Sequence, residues 1–155
     1  MSELASESVR ASAAAAEPDS ARFTVGAELP AARFPITRKD LVRYAGASGD
    51  FNDIHWNGRF AREVGLPDVI AHGMYTMAVA GRVLTDWAGD PAAVEEYFVR
   101  FSKPVPVPDD GVGALVEVTG KVTKALDERR VQVDLTVSSA GQKVLGKATA
   151  VVRCA

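Results

Sequence analysis

The segment Gly73–Ala88, which reads GMYTMAVAGRVLTDWA, determines the architecture of this chain. Its apolar and small side chains recur at helical spacing, at Met74, Met77, Ala78, Gly81, Leu84 and Trp87. A helix that is apolar on nearly every side is typical of a buried position. The following Gly89, Asp90 and Pro91 end such a helix. The pattern therefore predicts one long helix at the centre of the fold.

After this segment the spacing of the apolar residues changes to two. Apolar and polar residues alternate over 97–101, 115–122, 131–137 and 144–152, and turn-like breaks separate these stretches. Alternation of this kind is typical of strands in an antiparallel meander. A single long helix wrapped by an antiparallel sheet is the α+β arrangement called a hot dog. We therefore expect one α+β hot-dog domain.

The region before the long helix contains weaker signals. Arg22–Val25 and Ala32–Ile36 read as short extended pieces, separated by Gly26 and Pro30. Thr37 is a candidate helix N-cap, because Asp40 follows three residues later as in a capping box. The helix that starts there should end at Gly46 and Gly49, and Asn57 should cap a further short helix that stops at Gly65.

The first 21 residues differ in composition from the rest. They are mostly Ala and Ser with interspersed acidic residues, and they lack the strongly apolar centre of a signal peptide. This composition predicts a disordered tail over residues 1–21 and a single folded domain over residues 22–155.

Charge and cysteine content exclude several classes of function. The net charge is −2 and no basic cluster is long, which argues against a nucleic-acid surface. No apolar run approaches the ~20 residues that span a bilayer. Cys154 is the single cysteine, so neither a disulfide within the chain nor a cysteine-based zinc cage can form. We expect a cytoplasmic protein that binds neither nucleic acid nor membranes.

The one dense group of reactive side chains is Ser48–His55, which reads SGDFNDIH. On a straight helix Asp50 and His55 would lie about 140° apart around the axis and would not meet. In a tight turn, which Gly49 and Asn52 permit, they can converge into an acid/base pair. The residues alone leave an alternative open, in which Asp50 is an ordinary turn residue and His55 a half-buried structural histidine.

A second group, Ala71-His72-Gly73-Met74, stands at the start of the long helix. A helix N-terminus presents free N–H groups, and Gly73 would let a ligand oxygen approach its amide closely. Gly73 is therefore a candidate oxyanion hole, although it could also serve close packing alone. We interpret His72 as structural. Because the chain has only two histidines at no metal-binding spacing, we expect no metal site.

These motifs resemble a known family. The set Tyr44, Ser48-Gly49-Asp50-x-Asn52-x-Ile54-His55 and Ala61 resembles the hydratase-2 signature of the MaoC-like hot-dog proteins. Ile70–Met74 resembles the helix-start motif of that family, and Pro104-Val105-Pro106 resembles its boundary between strand and turn. The resemblance runs from about Phe23 to the C-terminus. Within the family it is strongest to the B subunit of actinobacterial (3R)-hydroxyacyl-acyl-carrier-protein dehydratases. Asp53 departs from the pattern, since proline usually precedes the isoleucine.

The resemblance implies a hydro-lyase of fatty-acid or related acyl-chain metabolism. It implies (R)-specific dehydration of 3-hydroxyacyl thioesters, or hydration of 2-enoyl thioesters, carried by CoA or an acyl-carrier protein. It further implies a catalytic pair of Asp50 and His55, support from Asn52, and a thioester oxygen held by the Gly73 amide. No metal or cofactor is implied. Two alternatives remain, an acyl thioesterase and a non-catalytic subunit of a dehydratase complex.

The resemblance also implies that the chain does not act alone. Open edge strands favour pairing with another chain, and a B-type subunit is expected to carry the dyad. A related hot-dog chain without a complete dyad would then help to form the acyl groove. We expect such a heterodimer, with a self-sufficient homodimer as the alternative.

Overall fold

The computed structural model describes residues 20–154. The helices are α1 (Arg38–Ser48), α2 (Gly58–Glu63) and α3 (Gly73–Ala88). The strands are β1 (Glu28–Ile36), β2 (Val94–Phe101), β3 (Ala114–Ala125), β4 (Arg130–Ser139), β5 (Gln142–Lys143) and β6 (Leu145–Arg153). Short 3₁₀ turns lie at Ser20–Phe23, Asp53–His55 and Pro91–Ala93. The predicted tail lies outside the described residues except for Ser20 and Ala21.

The strands form a single antiparallel sheet in the order β1-β3-β4-β6-β2, and the short β5 pairs with β4. Helix α3 packs against this sheet, with contacts to β1, β2, β3 and β6. The prediction of an α+β fold with one long helix and an antiparallel sheet is therefore confirmed. The two edges of the sheet are β1 and β2.

Helix α3 has the predicted bounds, but it is not buried on every side. The buried residues lie along one side, at Thr76, Val79, Ala80, Val83, Leu84, Trp87 and Ala88. The opposite side is open at Met74, which is 57% exposed, and at Ala78, Arg82 and Asp86. The predicted burial of the helix therefore holds for the side that the sheet covers and not for the opposite side.

The N-terminal region corrects two further expectations. The predicted extended piece Arg22–Val25 is not a strand: Arg22 and Phe23 belong to the 3₁₀ turn Ser20–Phe23, and the Phe23 ring packs against Trp87 at a centroid distance of 4.9 Å. Pro30 does not separate two elements but lies inside β1. Proline is tolerated there because β1 is an edge strand with a bulge between Leu29 and Ala32.

The predicted start of α1 is confirmed. The Asp40 carboxylate accepts hydrogen bonds from the Thr37 hydroxyl at 2.7 Å and from the Thr37 backbone N–H at 2.9 Å. These bonds, that of the hydroxyl first, lower the pKa of Asp40. The helix continues through Gly46 and ends where Gly49 adopts the left-handed conformation with φ 77°.

None of the helices within residues 20–154 is both long and apolar enough to cross a membrane.

Gly113, just before β3, offers a test of the fold against a matched control. It has φ +79°, and a Cβ there would overlap the Ile36 carbonyl oxygen at the end of β1. Gly111 has φ +78° but open space around it. We expect Gly113→Ala to lower the free energy of unfolding by about 2–5 kcal/mol, and Gly111→Ala by about 1–2 kcal/mol. Urea denaturation measures both, and equal losses would contradict the predicted clash.

Candidate active site

The loop between α1 and α2 is folded by its own side chains. Asp50 Oδ1 accepts the Asn52 N–H at 3.2 Å, and Asn52 Oδ1 accepts the Ile54 N–H at 3.2 Å. The second bond caps the 3₁₀ turn Asp53–His55. Side-chain-to-backbone bonds of this kind are typical of Asn and Asp in turns. The loop therefore reverses the chain within a few residues and returns His55 towards Asp50.

The turn brings the two predicted acid/base side chains together. Asp50 Oδ2 lies 3.9 Å from His55 Nε2. This distance is too long for a direct hydrogen bond, but it leaves room for one water molecule in contact with both atoms. The Asp50 side chain is 51% exposed and that of His55 8%. The pair thus combines an accessible carboxylate with a buried imidazole.

The protonation pattern of His55 follows from its other nitrogen. Nδ1 lies 2.7 Å from the Ile70 carbonyl oxygen, which can only accept a hydrogen bond. Nδ1 therefore carries the hydrogen, and Nε2 of the neutral ring carries the lone pair. Ile70 is fixed in turn by its N–H bond to Ile54 and by a bridge to Pro106. The basic nitrogen of His55 consequently points to Asp50.

His72 lies directly against this pair. Its ring stacks on the His55 ring with centroids 3.8 Å apart and 22° between the planes. Its Nε2 lies 3.1 Å from the Asp50 backbone carbonyl, so this nitrogen carries the hydrogen. The residue is 2% exposed, and its Nδ1 has no hydrogen-bond partner within residues 20–154.

Burial lowers the pKa of His72 below its usual value of 6.5. The neighbouring His55 also lowers this pKa, whereas the Asp50 carbonyl and carboxylate oppose the shift. As the pH falls through about 6.5, the unfolded chain takes up a proton at His72 before the folded chain does. The stability linked to neutral His72 is therefore present above that pH and lost below it.

We therefore expect His72→Gln to flatten the pH dependence of stability. The free energy of unfolding of the unmodified chain should fall between about pH 7 and pH 5, and that of the variant should fall less. Glutamine keeps an N–H donor for the Asp50 carbonyl but does not titrate. Urea denaturation across this range measures both slopes, and identical slopes would contradict a lowered pKa of His72.

Gly73 is the first residue of α3, where backbone N–H groups lack intrahelical acceptors. The position is set by the preceding segment, because the Ala71 N–H bonds to the Val105 carbonyl and the Val107 N–H to the Val69 carbonyl. A Cβ at Gly73 would lie 3.2 Å from the Phe101 ring. Both interpretations of this glycine thus have support, a free amide at a helix start and a close packing contact.

His55 and Gly73 lie on the wall of the same cleft. Its volume is about 430 Å³. Other lining residues are mostly apolar and include Ile54, Ile70, Ala71, Thr76, Phe101, Val105, Val144 and Leu145. A cleft of this size with few polar groups is typical of a small-molecule site, and an extended apolar group would fit its lining.

Of the predicted site residues, His55 and Gly73 line this cleft, whereas Asp50 and Asn52 do not. Asn52 is exposed and does not line the cleft, and its side-chain oxygen caps the turn before His55. The Asp53 carboxylate accepts a hydrogen bond from Asn57 Nδ2 at 3.3 Å. Asp53 therefore faces α2, and the turn keeps its shape without the usual proline.

The ligand-type atoms of Asp50, His55 and His72 lie within 4.8 Å of one another, which raises the question of a metal site. Two nearly parallel stacked rings direct their in-plane lone pairs along separate planes. One ion could not lie in the planes of both rings at the metal–nitrogen distance of ~2.0–2.1 Å that zinc requires. The donor geometry therefore does not fit a metal ion.

Three residues of the site were not predicted from the sequence as functional. His72 contacts both members of the pair, Phe101 packs on Gly73, and Thr76 is buried in the cleft wall. The position of His72, immediately before the helix-start glycine, was the one available signal. The contacts of all three depend on the tertiary fold.

The fold and the site define a hot-dog domain in which Asp50 and His55 lie together beside an apolar cleft. The family model of the MaoC like domain matches residues 20–141. The chain therefore belongs to the MaoC-like domain family, which confirms the predicted family.

Individual relatives agree with this family. A "3-hydroxyacyl-thioester dehydratase X" of Mycobacterium tuberculosis is 47% identical over 79 residues, covering 51% of this chain and 27% of that protein. An "(R)-specific enoyl-CoA hydratase" of Rhodospirillum rubrum is 34% identical over 119 residues, covering 76% of this chain and 80% of that protein. The chain thus spans only about a quarter of the first relative's length.

Solved structures share the fold. A "MaoC-like dehydratase" superposes with a TM-score of 0.81 at 45% identity, covering 85% of this chain and 41% of that one. A chain of the ChsH1-ChsH2 complex from Mycobacterium tuberculosis superposes with a TM-score of 0.73 at 24% identity, covering 85% and 98% of the two chains. This second likeness concerns the fold alone.

Proposed function

We propose that this domain adds water to 2-enoyl thioesters and removes it from (3R)-hydroxyacyl thioesters. The observation that carries the proposal is the 3.9 Å separation of Asp50 Oδ2 and His55 Nε2, with His55 and Gly73 on the wall of the same apolar cleft. The names of the relatives, a dehydratase and an (R)-specific hydratase, support it.

The reaction needs two proton transfers, which the pair supplies. Hydration places a hydroxyl group on C3 and a proton on C2. The pair starts with one exchangeable proton: the member without it takes a proton from water, and the member that carries it delivers it to C2. His55 exchanges its proton at Nε2, because Nδ1 is bound to the Ile70 carbonyl. The turnover leaves the exchangeable proton on the other member of the pair. Its return through a water molecule that bridges the 3.9 Å gap restores the starting state, and in dehydration the roles are exchanged.

The third requirement is a partner for the thioester oxygen, which gains negative charge as C2 becomes nucleophilic. We assign this role to the Gly73 N–H at the positive end of the α3 dipole. Asn52 supports the pair indirectly, since its side chain fixes the turn that presents His55.

The test of the proposal is an assay of the purified chain with enoyl thioesters of short and long chain length. Each substrate is supplied both on CoA and on a carrier protein. We expect a 3-hydroxyacyl thioester of (R) configuration as the product. Release of free thiol without a hydroxyacyl product would favour the thioesterase alternative. A chain inactive with all substrates, alone and with a partner, would favour a non-catalytic subunit.

The partner of the domain is proposed to be a related hot-dog chain bound along β2. This edge strand exposes Phe98 at 55% and Phe101 at 49%. Phe101 also contacts Gly73, beside the exposed Met74. Large exposed aromatic residues on an open strand edge mark an interaction surface. A chain docked there would lie next to the cleft, as expected for an acyl groove shared by two subunits.

We expect Phe98→Glu to weaken this association by about 2 kcal/mol or more, as for a central aromatic contact. Val112→Glu is the matched control, because Val112 is 73% exposed on a distant loop. Light scattering of the chain expressed alone, and with its partner, measures the mass. A fully active homodimer would contradict the heterodimer proposal, and a stable active monomer would contradict both.

A cytoplasmic location stays a prediction from the single cysteine.

A further inference from the structure

His72 links every part of the proposed site, although it does not line the cleft. Its ring covers one face of the His55 ring at 3.8 Å, and its Nε2–H donates to the Asp50 backbone carbonyl at 3.1 Å. One buried side chain therefore contacts both members of the acid/base pair.

The backbone of His72 connects the pair to helix α3. Its carbonyl oxygen accepts the Thr76 N–H at 3.0 Å and the Thr76 hydroxyl at 3.3 Å, which are bonds of the first helical turn. The next residue is Gly73, to which we assign the thioester oxygen. His72 thus connects the pair to the Gly73 amide through its own side chain and one peptide bond.

We propose that His72 is a positioning residue, which holds the Asp50 backbone and the plane of the His55 ring in register with the Gly73 N–H. This inference rests on the proposed function, because it concerns the same reaction. His72 acts through its neighbours and does not contact the substrate.

The chemistry of the side chain supports a specific role rather than simple filling of space. An aromatic hydrocarbon could stack on His55 but could not donate to Asp50, and an amide could donate but could not stack. Imidazole does both. Its Nδ1 is buried without a partner within residues 20–154, which is unfavourable for stability. A residue chosen only for packing would avoid that unpaired nitrogen.

Two variants separate the contacts. His72→Phe keeps the stacked ring and removes the donor, whereas His72→Gln keeps a donor and removes the stack. We expect each to lower kcat for crotonyl-CoA hydration by about 10- to 100-fold, with KM changed by no more than about twofold. Val83→Ala is the control for lost stability, since Val83 is buried on the same helix far from the pair. It should lower Tm and leave kcat unchanged.

The imidazole NMR spectrum gives a readout that does not depend on activity. The chain contains two histidines, so a ¹⁵N spectrum of the untagged protein shows only His55 and His72. We expect His55 to carry its hydrogen on Nδ1 and His72 on Nε2. In His72→Gln the His55 signals should shift or broaden, because the ring loses its stacking partner. In His72→Phe they should change less.

The outcomes distinguish this inference from the proposed function. If both His72 variants keep kcat within about twofold of the unmodified chain, His72 does not position the pair. If Val83→Ala loses as much kcat as the His72 variants at a similar loss of Tm, the effect reflects a general loss of stability. The inference is then also overturned. If the unmodified chain hydrates no enoyl thioester, the proposed function fails. The ¹⁵N signals of His55 then decide alone whether His72 holds the His55 ring. Signals that are unchanged in both His72 variants would overturn the positioning role.

Discussion

Asp50→Asn should lower kcat for crotonyl-CoA hydration by about 10²–10⁴-fold, the usual contribution of one acid/base group. Asparagine keeps an oxygen that can accept the Asn52 N–H, and its backbone carbonyl remains available to His72. The loop should therefore keep its shape. The side chain is half exposed, so the substitution buries no new polar group. The expected loss is one of chemistry with little change in Tm.

Asp53→Asn is the matched control for this prediction. Asp53 lies in the same loop and has the same charge, but its carboxylate faces Asn57 rather than His55. We expect its kcat to remain within about twofold of the unmodified chain. Steady-state kinetics with thermal unfolding of both variants completes the experiment. Near-normal activity of Asp50→Asn would show that the acid/base assignment is wrong.

The elements that local signals control could be predicted from the sequence. The bounds of α3 follow from helical periodicity ending at Gly89, and the start of α1 follows from the Thr37–Asp40 pair. The convergence of Asp50 and His55 also has a local origin, because Gly49 and Asn52 fold the turn through bonds to neighbouring residues. Such interactions span few residues and leave a readable pattern.

The features that could not be predicted depend on contacts between distant residues. The 3₁₀ turn at Ser20–Phe23 forms where Phe23 meets Trp87, and no local pattern distinguishes it from a strand. The open side of α3 depends on how much of the helix the sheet covers. The contacts of His72 require that a loop and a helix start, 17–22 residues apart, meet with one ring orientation. Sequence spacing gives the residues but not the orientation.

His55→Asn should cause a loss of kcat as large as that of Asp50→Asn, about 10²–10⁴-fold. The amide nitrogen of asparagine occupies nearly the position of the imidazole Nδ1, so it can still donate to the Ile70 carbonyl. The substitution therefore removes Nε2, the nitrogen that exchanges protons, and keeps the anchor. His55→Ala removes both Nε2 and the Nδ1–H donor. It leaves the Ile70 carbonyl without a hydrogen-bond donor and opens a cavity beside His72. It should lose the same activity and a further ~1–3 kcal/mol of stability.

The double variant Asp50→Asn/His55→Asn tests whether the two residues act as one unit. Groups that share a single proton-transfer step show strongly non-additive effects, because removing either one already abolishes the step. We therefore expect the double variant to be about as active as the slower single variant. If instead the loss of kcat in the double variant equals the product of the two single losses, the two residues contribute independently to the rate. Near-normal hydration by His55→Asn would mean that Nε2 takes no part in the reaction, whatever its distance from Asp50.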